Sequence, residues 1–392
     1  MPLPSPEEED WRYSRIGELQ LDRYHPLDAP TEGSEPPPTD IASYGDPTAT
    51  LLLRNGWVDS AWVDPDAANA GVTVGPAGDL EAGERLLQSD PTELFDHLNL
   101  AFSPQPSAVV VPDGVRLKSP IVVLVHTDTD GAAVFPRLVV EVGRDASATL
   151  VEIHTSADVE SLVVPVLDVS LGPAARFHHG VVQNIGKRVW QIGTQAFRVE
   201  TGASLEAFTA ALGGDYARTR IDCRLVGRGA EGRLTAAYFG EGTQTLDFRT
   251  FQEHAAPDTI SNLLFKGALD DASRSVYSGL IRVQPEAIRT RAHQTNRNVK
   301  LSAEAWAESV PNLEIETNDV ICSHASAVSP VDEEQRFYLE SRGVPTPIAE
   351  RLIVEGFFNE VVAAAPMPQL GEILRLSLAE RLDRRVDHEV AA

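Results

Sequence analysis

The chain has 392 residues, 42% of them hydrophobic, and its 33 Lys and Arg against 58 Asp and Glu give a formal net charge of −25. This hydrophobic content supports a sizeable core and argues against disorder, while so acidic a surface repels phosphate and argues against nucleic-acid binding. The N-terminus lacks a basic, apolar leader and no run of eighteen apolar residues occurs, so we expect a cytoplasmic protein that does not enter a membrane.

The first hundred residues predict irregular and helical structure. Residues 28–46 are rich in Pro, Ser, Thr and Asp, and the run Pro36–Pro38 is incompatible with a regular helix. Farther on, apolar residues between Leu94 and Phe102 recur at helical spacing. We therefore assign residues 1–107 to an irregular and helical N-terminal region.

Residues 108–330 are a succession of short β-branched runs separated by Gly, Pro or Asp, and they predict a mainly β core. No amphipathic helix interrupts them, which argues against a doubly wound α/β fold. A repeat near this length predicts the turns of a β-solenoid, with a large β-sandwich as the alternative. The breaks recur every 26 to 30 residues, at Gly143, Gly172, Gly202, Gly229, Pro257, Pro285 and Pro311.

The last sixty residues change to a helical pattern. One helix is predicted to start near Asp332, a second to span Pro347–Val362 and a third to span Pro368–Val386. The second helix is apolar on most of its circumference, so we expect it to be buried either within its own domain or beneath a partner. Residues 331–392 are therefore assigned to a C-terminal helical domain.

The sharpest local feature is the pair Cys322 and His324. Residues two apart in a strand lie on one face, so the thiol and the imidazole would point the same way. Such a pair suits iron, zinc or the edge of a cluster, although a small buried Cys beside a hydrogen-bonded His has the same pattern. An iron–sulfur cluster usually takes four ligands, so a cluster at this site would need the others from another chain. The second cysteine, Cys223, lies several repeats earlier and is not expected to bind the same metal.

Two further patterns bear on chemistry. His178 and His179 are adjacent, so a strand would turn them to opposite faces, and we expect one to be buried and one exposed. The chain has no G-x-x-x-x-G-K-[ST] sequence, so any ATP hydrolysis is expected in a partner, and it has no G-x-S-x-G sequence to indicate a hydrolase.

Five segments together resemble the SufB/SufD family of iron–sulfur cluster assembly proteins. The resemblance is strong over the C-terminal third, looser from about residue 110 and slight over the first 90 residues. The Cys-Ser-His form at residues 322–324, with a single nearby Cys, is similar to SufD and less so to SufB. The segments are Ser261–Leu269, Ser275–Val283, Pro311–His324, Val331–Gly343 and Leu352–Phe357.

The resemblance implies a right-handed parallel β-helix with a C-terminal helical domain, acting as a non-catalytic scaffold subunit of a SufBCD-type complex. It implies that Cys322 and His324 contribute to a nascent cluster, or to a sulfur or iron site, shared with a SufB-like partner at the β-helix. Cys223 resembles the segment where SufB carries a sulfur-accepting Cys, which makes it a candidate for an accessory role with sulfur or metal.

The same resemblance implies that the ATPase SufC docks on the C-terminal helices. We place this contact on Glu350, Arg351, Val354, Phe357 and Phe358. The implied cofactor is a transient, shared iron–sulfur cluster, and a flavin bound by the complex is a further candidate.

Two other functions remain open at this point. A β-helix carbohydrate-active enzyme would use a cleft of carboxylates and Arg, but such enzymes are commonly exported, and the appended helical domain counts against this interpretation. A purely structural subunit would have the same architecture, with Cys322 and His324 serving only to pack.

Overall fold

The computed structural model describes residues 2–31, 41–80 and 91–391. The run Pro36–Pro38, assigned above to irregular chain, lies outside these residues. Strands account for most of the described secondary structure, and nearly all of them belong to two large sheets.

Each turn of the central region contributes one strand to each of two mainly parallel sheets, which together form a β-solenoid of about eight turns. Sheet 1 consists, from the N-terminal to the C-terminal edge, of β4 (Thr73–Pro76), β5 (Ser107–Val111), β8 (Arg137–Val142), β11 (Val166–Leu171), β13 (Val189–Val199), β15 (Tyr216–Leu225), β17 (Thr245–His254), β19 (Arg274–Val283) and β21 (Trp306–Ile315). Sheet 2 consists of β3 (Trp57–Val63), β2 (Ala49–Arg54), β6 (Ile121–Thr127), β9 (Ser147–Ser156), β12 (Arg176–Asn184), β14 (Ser204–Ala211), β16 (Glu231–Gly240), β18 (Ile260–Leu269), β20 (Thr290–Lys300) and β22 (Val320–Pro330). Three short strands extend sheet 1: β1 (His25–Pro26), β7 (Ala132–Val134) and β10 (Ser161–Val163).

The interior of the solenoid, which we call the lumen, is filled by the inward residues of both sheets. On β6 these residues are Ile121, Val123 and Val125, all buried, and in-register pairing stacks them on inward residues of β9. Every second residue of a strand faces the same way, so the alternation of apolar side chains decides which face is buried. The stacked turns confirm the solenoid and exclude the sandwich.

The breaks in the sequence mark the corners at which the chain passes from sheet 1 to sheet 2. Gly202 and Gly229 have positive φ angles of 65° and 68° at two of these corners, a conformation that glycine adopts without steric cost. Pro311 is an exception, because it lies inside β21 and the corner follows at residues 316–319. β21 is an edge strand, where a missing N–H is tolerated.

The N-terminal region contains short helices, as predicted, but also four strands, β1 to β4, that the sequence pattern did not reveal. β2 pairs in parallel with β6, so the solenoid starts near residue 49. β3 then pairs antiparallel with β2, and β4 pairs antiparallel with β5. The helices are α1 (Pro65–Asn69), α2 (Leu94–Phe102) and the 3-10 turns Glu9–Trp11, Ile16–Glu18, Leu21–Arg23, Ile41–Tyr44 and Ala77–Asp79.

The start of the chain is held against the outer face of sheet 1. The side chain of Arg218 is fully buried, forms an ion pair with Glu93 at 2.6 Å and lies over the ring of Trp11 at 3.7 Å. Trp11 in turn packs on Phe95 of α2, with 5.5 Å between the ring centroids. A buried arginine is stabilised only when it is paired, so these contacts fix the N-terminal segment in place.

The C-terminal helices are α3 (Glu333–Glu340), α4 (Thr346–Ala363) and α5 (Pro368–Ala391). Val354 and Phe358 of α4 are buried in one apolar cluster with Phe208 and Phe239 from the outer face of sheet 2, and Leu374 of α5 joins it. The second helix is thus buried within its own chain, between α5 and the solenoid. Among the described helices, none has the length and apolar character needed to cross a bilayer.

Candidate functional site

The candidate site lies at the C-terminal end of the solenoid, where β21 and β22 are the last strands of their sheets. Within the described residues each of these strands has a neighbour on one side only, so the backbone groups of its outer edge face solvent. Apolar side chains are exposed along the same edge, including Ile315, Ile321 and Val328 at 41%, 58% and 42%. We call this surface the open end.

Cys322 and His324 lie side by side on β22 and both face the lumen. In-register pairing sets Cys322 on Ala292 and His324 on Gln294, and both of these β20 residues are buried. The structure therefore brings the two side chains onto one face, as the spacing predicted. Cys322 is half-buried and packs on a cluster that includes Ile281 and Ala292, whereas His324 is exposed.

The thiol of Cys322 is protonated at neutral pH in the chain by itself. Burial raises its pKa, and a hydrogen bond with the backbone at Ala292 only partly offsets that effect. A metal ion binds the thiolate, so binding would release a proton and would strengthen as the pH rises.

The two potential ligands do not complete a site. Across residues 2–31, 41–80 and 91–391, no group of three or more His, Cys, Asp and Glu side chains is arranged to hold a metal ion. Iron–sulfur clusters usually require four ligands. Cys322 and His324 can therefore supply only part of a coordination shell.

Cys223 lies in the lumen far from this pair. Inward stacking runs from Cys223 through Gln252 and Ile281 to Leu313 at the open end, so three steps of roughly 4.8 Å separate its turn from the last one. Its side chain is fully buried, and burial together with the nearby Asp222 carboxylate raises the pKa of the thiol to about 12. A buried, protonated thiol is a poor nucleophile and a poor ligand.

The adjacent histidines face opposite sides, as predicted, and lead to a buried cluster that the sequence pattern did not reveal. His178 is exposed on the outer face, while His179 is fully buried and contacts Glu152 through Nε2 at 2.6 Å. His154 contacts the other carboxylate oxygen at 3.4 Å. Burial alone would raise the pKa of Glu152, but its hydrogen bonds with the two histidines outweigh that effect and lower it to about 2. The only sequence signal for this cluster was the spacing of Glu152 and His154, which are two residues apart in one strand and so lie on the same face.

All five residues assigned to an ATPase contact make intramolecular contacts, and Phe357 does so through Phe358 and Lys266. Val354 and Phe358 are buried beneath the helices, as described above. Glu350 pairs with Arg336 and Arg385, both at 3.1 Å. Arg351 pairs with Glu355 and with Asp383 of α5, at 3.0 and 2.8 Å. These residues hold the helical domain together, and their contact with a partner stays a prediction.

Phe357 and the outer surface of the helices present exposed apolar side chains that a partner could contact. Phe357 lines a groove of about 1080 Å³ between the helices and the ends of the last strands, together with Tyr338 and Leu352. Phe337, Tyr338 and Leu352 are exposed at 71%, 57% and 46%. Large apolar side chains clustered at a groove are typical of a protein interface.

Comparison with known proteins agrees with this architecture. Residues 124–357 match the family described as SUF system FeS cluster assembly, SufBD core domain. An iron–sulfur cluster assembly SufBD family protein of Mycobacterium tuberculosis is 33% identical over 327 residues, covering 80% of this chain and 77% of the relative. Another, of Mycobacterium leprae, is 34% identical over 304 residues, or 74% of each chain. A chloroplastic protein of Arabidopsis thaliana is 25% identical over 390 residues, or 95% of this chain and 82% of the relative.

Proposed function

The chain belongs to the SufBD family of iron–sulfur cluster assembly proteins, and from this premise we propose that it is a SufD-like, non-catalytic scaffold subunit of a cytoplasmic SufBCD-type complex. The open end would pair with a SufB-like chain, and the C-terminal helices would dock a SufC-like ATPase. The observation that carries the proposal is the position of Cys322 and His324 on the last turn, where a second chain can complete their ligand set.

An incomplete ligand set suits a scaffold, because the cluster is cargo that must leave. Cys322 and His324 would hold one edge of the nascent cluster and the SufB-like partner the other, so separating the chains would remove half of the ligands at once. Metal affinity depends on the number and orientation of ligands. Opening of the interface would therefore release a cluster that is stable while the chains are joined.

The edges of β21 and β22 provide the means of pairing. Their outer backbone groups can continue both sheets into a second chain, and the exposed Ile315, Ile321 and Val328 can be buried in the same contact. The pairing would place ligands from the partner opposite Cys322 and His324. The formal charge of −25 further favours a partner with a less acidic contact surface.

The ATPase contact is proposed on the groove lined by Tyr338, Leu352 and Phe357 and on the exposed Phe337 that precedes Tyr338. Because α4 packs directly on the outer face of β16 and β18, movement of the helices can reach the solenoid that carries the cluster ligands. A flavin in the complex stays a prediction of the resemblance, without residues of this chain attached to it.

The proposal is tested by anaerobic reconstitution of the co-purified complex with iron and sulfide. Wild type is compared with Cys322→Ser and with Cys223→Ala, which removes the other thiol, and the cluster is measured by absorption and Mössbauer spectra. We expect Cys322→Ser to lose most of the cluster signal with the complex intact, and Cys223→Ala to retain it.

A second matched pair concerns the imidazole. His324→Gln removes the proposed ligand, whereas His293→Gln removes an exposed histidine of β20 whose Nδ1 lies 2.8 Å from Ser323 Oγ. We expect only the first variant to lower the cluster yield. Normal yields for both Cys322→Ser and His324→Gln would overturn the ligand role and leave a purely structural subunit.

A further inference from the structure

One turn below the open end, the lumen contains a buried side-chain amide that lacks a full set of hydrogen bonds. Gln294 lies on β20, directly beneath His324 in the register of sheet 2, and is only 1% exposed. Within the described chain its Oε1 has no hydrogen-bond partner, and its Nε2 has only a loose contact with the Tyr277 hydroxyl. Burying an amide in this way is costly unless a partner is supplied.

The neighbouring amides of the same strand show the usual arrangement. Asn296 donates to the hydroxyl of Tyr238 at 2.9 Å, and the Tyr238 hydroxyl donates to Asn298 Oδ1 at 2.7 Å. Asn298 in turn donates to Asn296 Oδ1 at 2.9 Å. Of the three inward amides of β20, Asn296 and Asn298 are thus held in a hydrogen-bond network with Tyr238. The third, Gln294, lies beneath the candidate ligand His324 and is outside this network.

The opposite wall of the lumen leaves room for the Gln294 amide. Gly279 of β19 faces it, and a Cβ added to Gly279 would come within 2.2 Å of Gln294 Nε2 and 2.3 Å of the Tyr277 hydroxyl oxygen. Gln294 Nε2 and the Tyr277 hydroxyl therefore occupy the space that a side chain at residue 279 would fill, and only glycine at this position leaves that space free. The Tyr277 hydroxyl is itself held by Thr250 Oγ1 at 3.0 Å. The Tyr277 hydroxyl is therefore the acceptor nearest to Nε2, and Oε1 stays available to the next turn of sheet 2, where His324 pairs in register with Gln294.

We propose that Gln294 is a positioning residue for His324, with Oε1 accepting the ring N–H that faces the lumen and Nε2 donating to Tyr277. The His324 ring is then held in one tautomer, with the lone pair of its other nitrogen directed out of the open end. Histidines that bind metals usually donate their second N–H to such an oxygen, which fixes the ring and raises its basicity. This inference rests on the proposed function only in that His324 is a metal ligand.

The contact itself is tested without any metal. The full-length chain is labelled with ¹⁵N-histidine, and long-range ¹H–¹⁵N spectra report the tautomer of each ring, with His324 assigned from His324→Gln. We expect one tautomer of His324 in wild type and the mixture of a free imidazole in Gln294→Leu. Gln294→Glu, which keeps an acceptor oxygen at the same position, should restore the single tautomer.

The matched control is Gln252→Leu. Gln252 is another lumen glutamine, also 1% exposed and without a hydrogen-bond partner for its amide among the described residues, but it stacks between Cys223 and Ile281 and not beneath His324. It should leave the His324 tautomer unchanged. An unaltered tautomer in Gln294→Leu, or an equal change in Gln252→Leu, would overturn the inference.

A second readout connects the contact to metal binding. Co²⁺ added to the full-length chain reports thiolate ligation through its charge-transfer absorption, and Gln294→Leu should weaken this binding about tenfold while the melting temperature stays the same. If Cys322→Ser and His324→Gln left Co²⁺ binding unaltered, the proposed function would lose its metal site, and the tautomer would still decide the Gln294 contact.

Discussion

The two ends of the solenoid are built differently. At the N-terminal end, β3 pairs antiparallel with the edge of β2, and β4 pairs antiparallel with the edge of β5. At this end, therefore, neither sheet has a parallel strand at its edge. At the C-terminal end, β21 and β22 present parallel edges and exposed apolar side chains within the described chain. An edge strand is a template for pairing with another chain, and proteins that do not use it block it. One end is therefore closed by antiparallel strands, and the other is the end that we propose for assembly.

The same contrast holds for polar groups in the lumen. Toward the closed end, the buried carboxylate of Glu152 joins the Nε2 atoms of His154 and His179, which are also buried. At the open end, Cys322 and His324 are incomplete by themselves. Substitutions that break the buried cluster around Glu152 should thus cost stability, while substitutions on the last turn should cost association and leave the fold intact.

The largest effect is expected from Glu152→Ala. Two buried histidines would lose their carboxylate, and breaking a buried ionic group costs about 3–5 kcal/mol of unfolding free energy. The matched control is Glu206→Ala, which removes the exposed partner of His178 at 3.7 Å and should cost less than about 1 kcal/mol. Urea denaturation of the two variants measures the difference, and equal losses would contradict the contrast between lumen and surface.

A slightly smaller effect is expected from pH. Burial lowers the pKa of His254 from 6.5 to about 4, so the folded state resists a proton that the unfolded state accepts. Stability is therefore complete above about pH 6.5 and falls by up to about 3 kcal/mol as the pH decreases through 4. His254→Gln should flatten this part of the urea-midpoint curve, and an unchanged slope would show that His254 does not titrate as described.

The two cysteines should differ about a hundredfold in alkylation rate. Cys322 is half-buried at the open end, whereas Cys223 is fully buried with its pKa raised to about 12, so iodoacetamide reaches it only after the fold opens. Peptide mass spectrometry of the folded chain follows both sites, and a urea-unfolded sample provides the control. Comparable rates in the folded chain would mean that the lumen is accessible from solvent.

The smallest effect is expected at the two ends themselves. Ile321→Lys places a charge on the open end and should weaken binding of a SufB-like partner about tenfold or more. Trp62→Lys makes a comparable change at 49% exposure on β3 of the closed end and should leave that binding unaltered. Titration of labelled chains measures both affinities, and equal weakening would remove the assigned roles of the two ends.

Much of the fold could be predicted from local pattern. The spacing of Gly and Pro breaks located the corners, because a parallel turn needs one corner per passage between sheets. Period two placed Cys322 with His324 and separated His178 from His179. Pro311 was misplaced because proline marks an edge strand as readily as a turn.

What the sequence determined by itself is the repeat, the family and the side of the strand on which each side chain lies. Only the tertiary structure decided what each side faces, because that depends on residues paired from distant turns. It closed one end with β3 and β4, joined Glu152 to His179, buried Val354 and Phe358 against the solenoid, and set Gln294 beneath His324. The same alternation of residues along a strand is compatible with a face that lies against the lumen, the solvent or a helix. Only packing between residues that are distant in the sequence distinguishes these three environments.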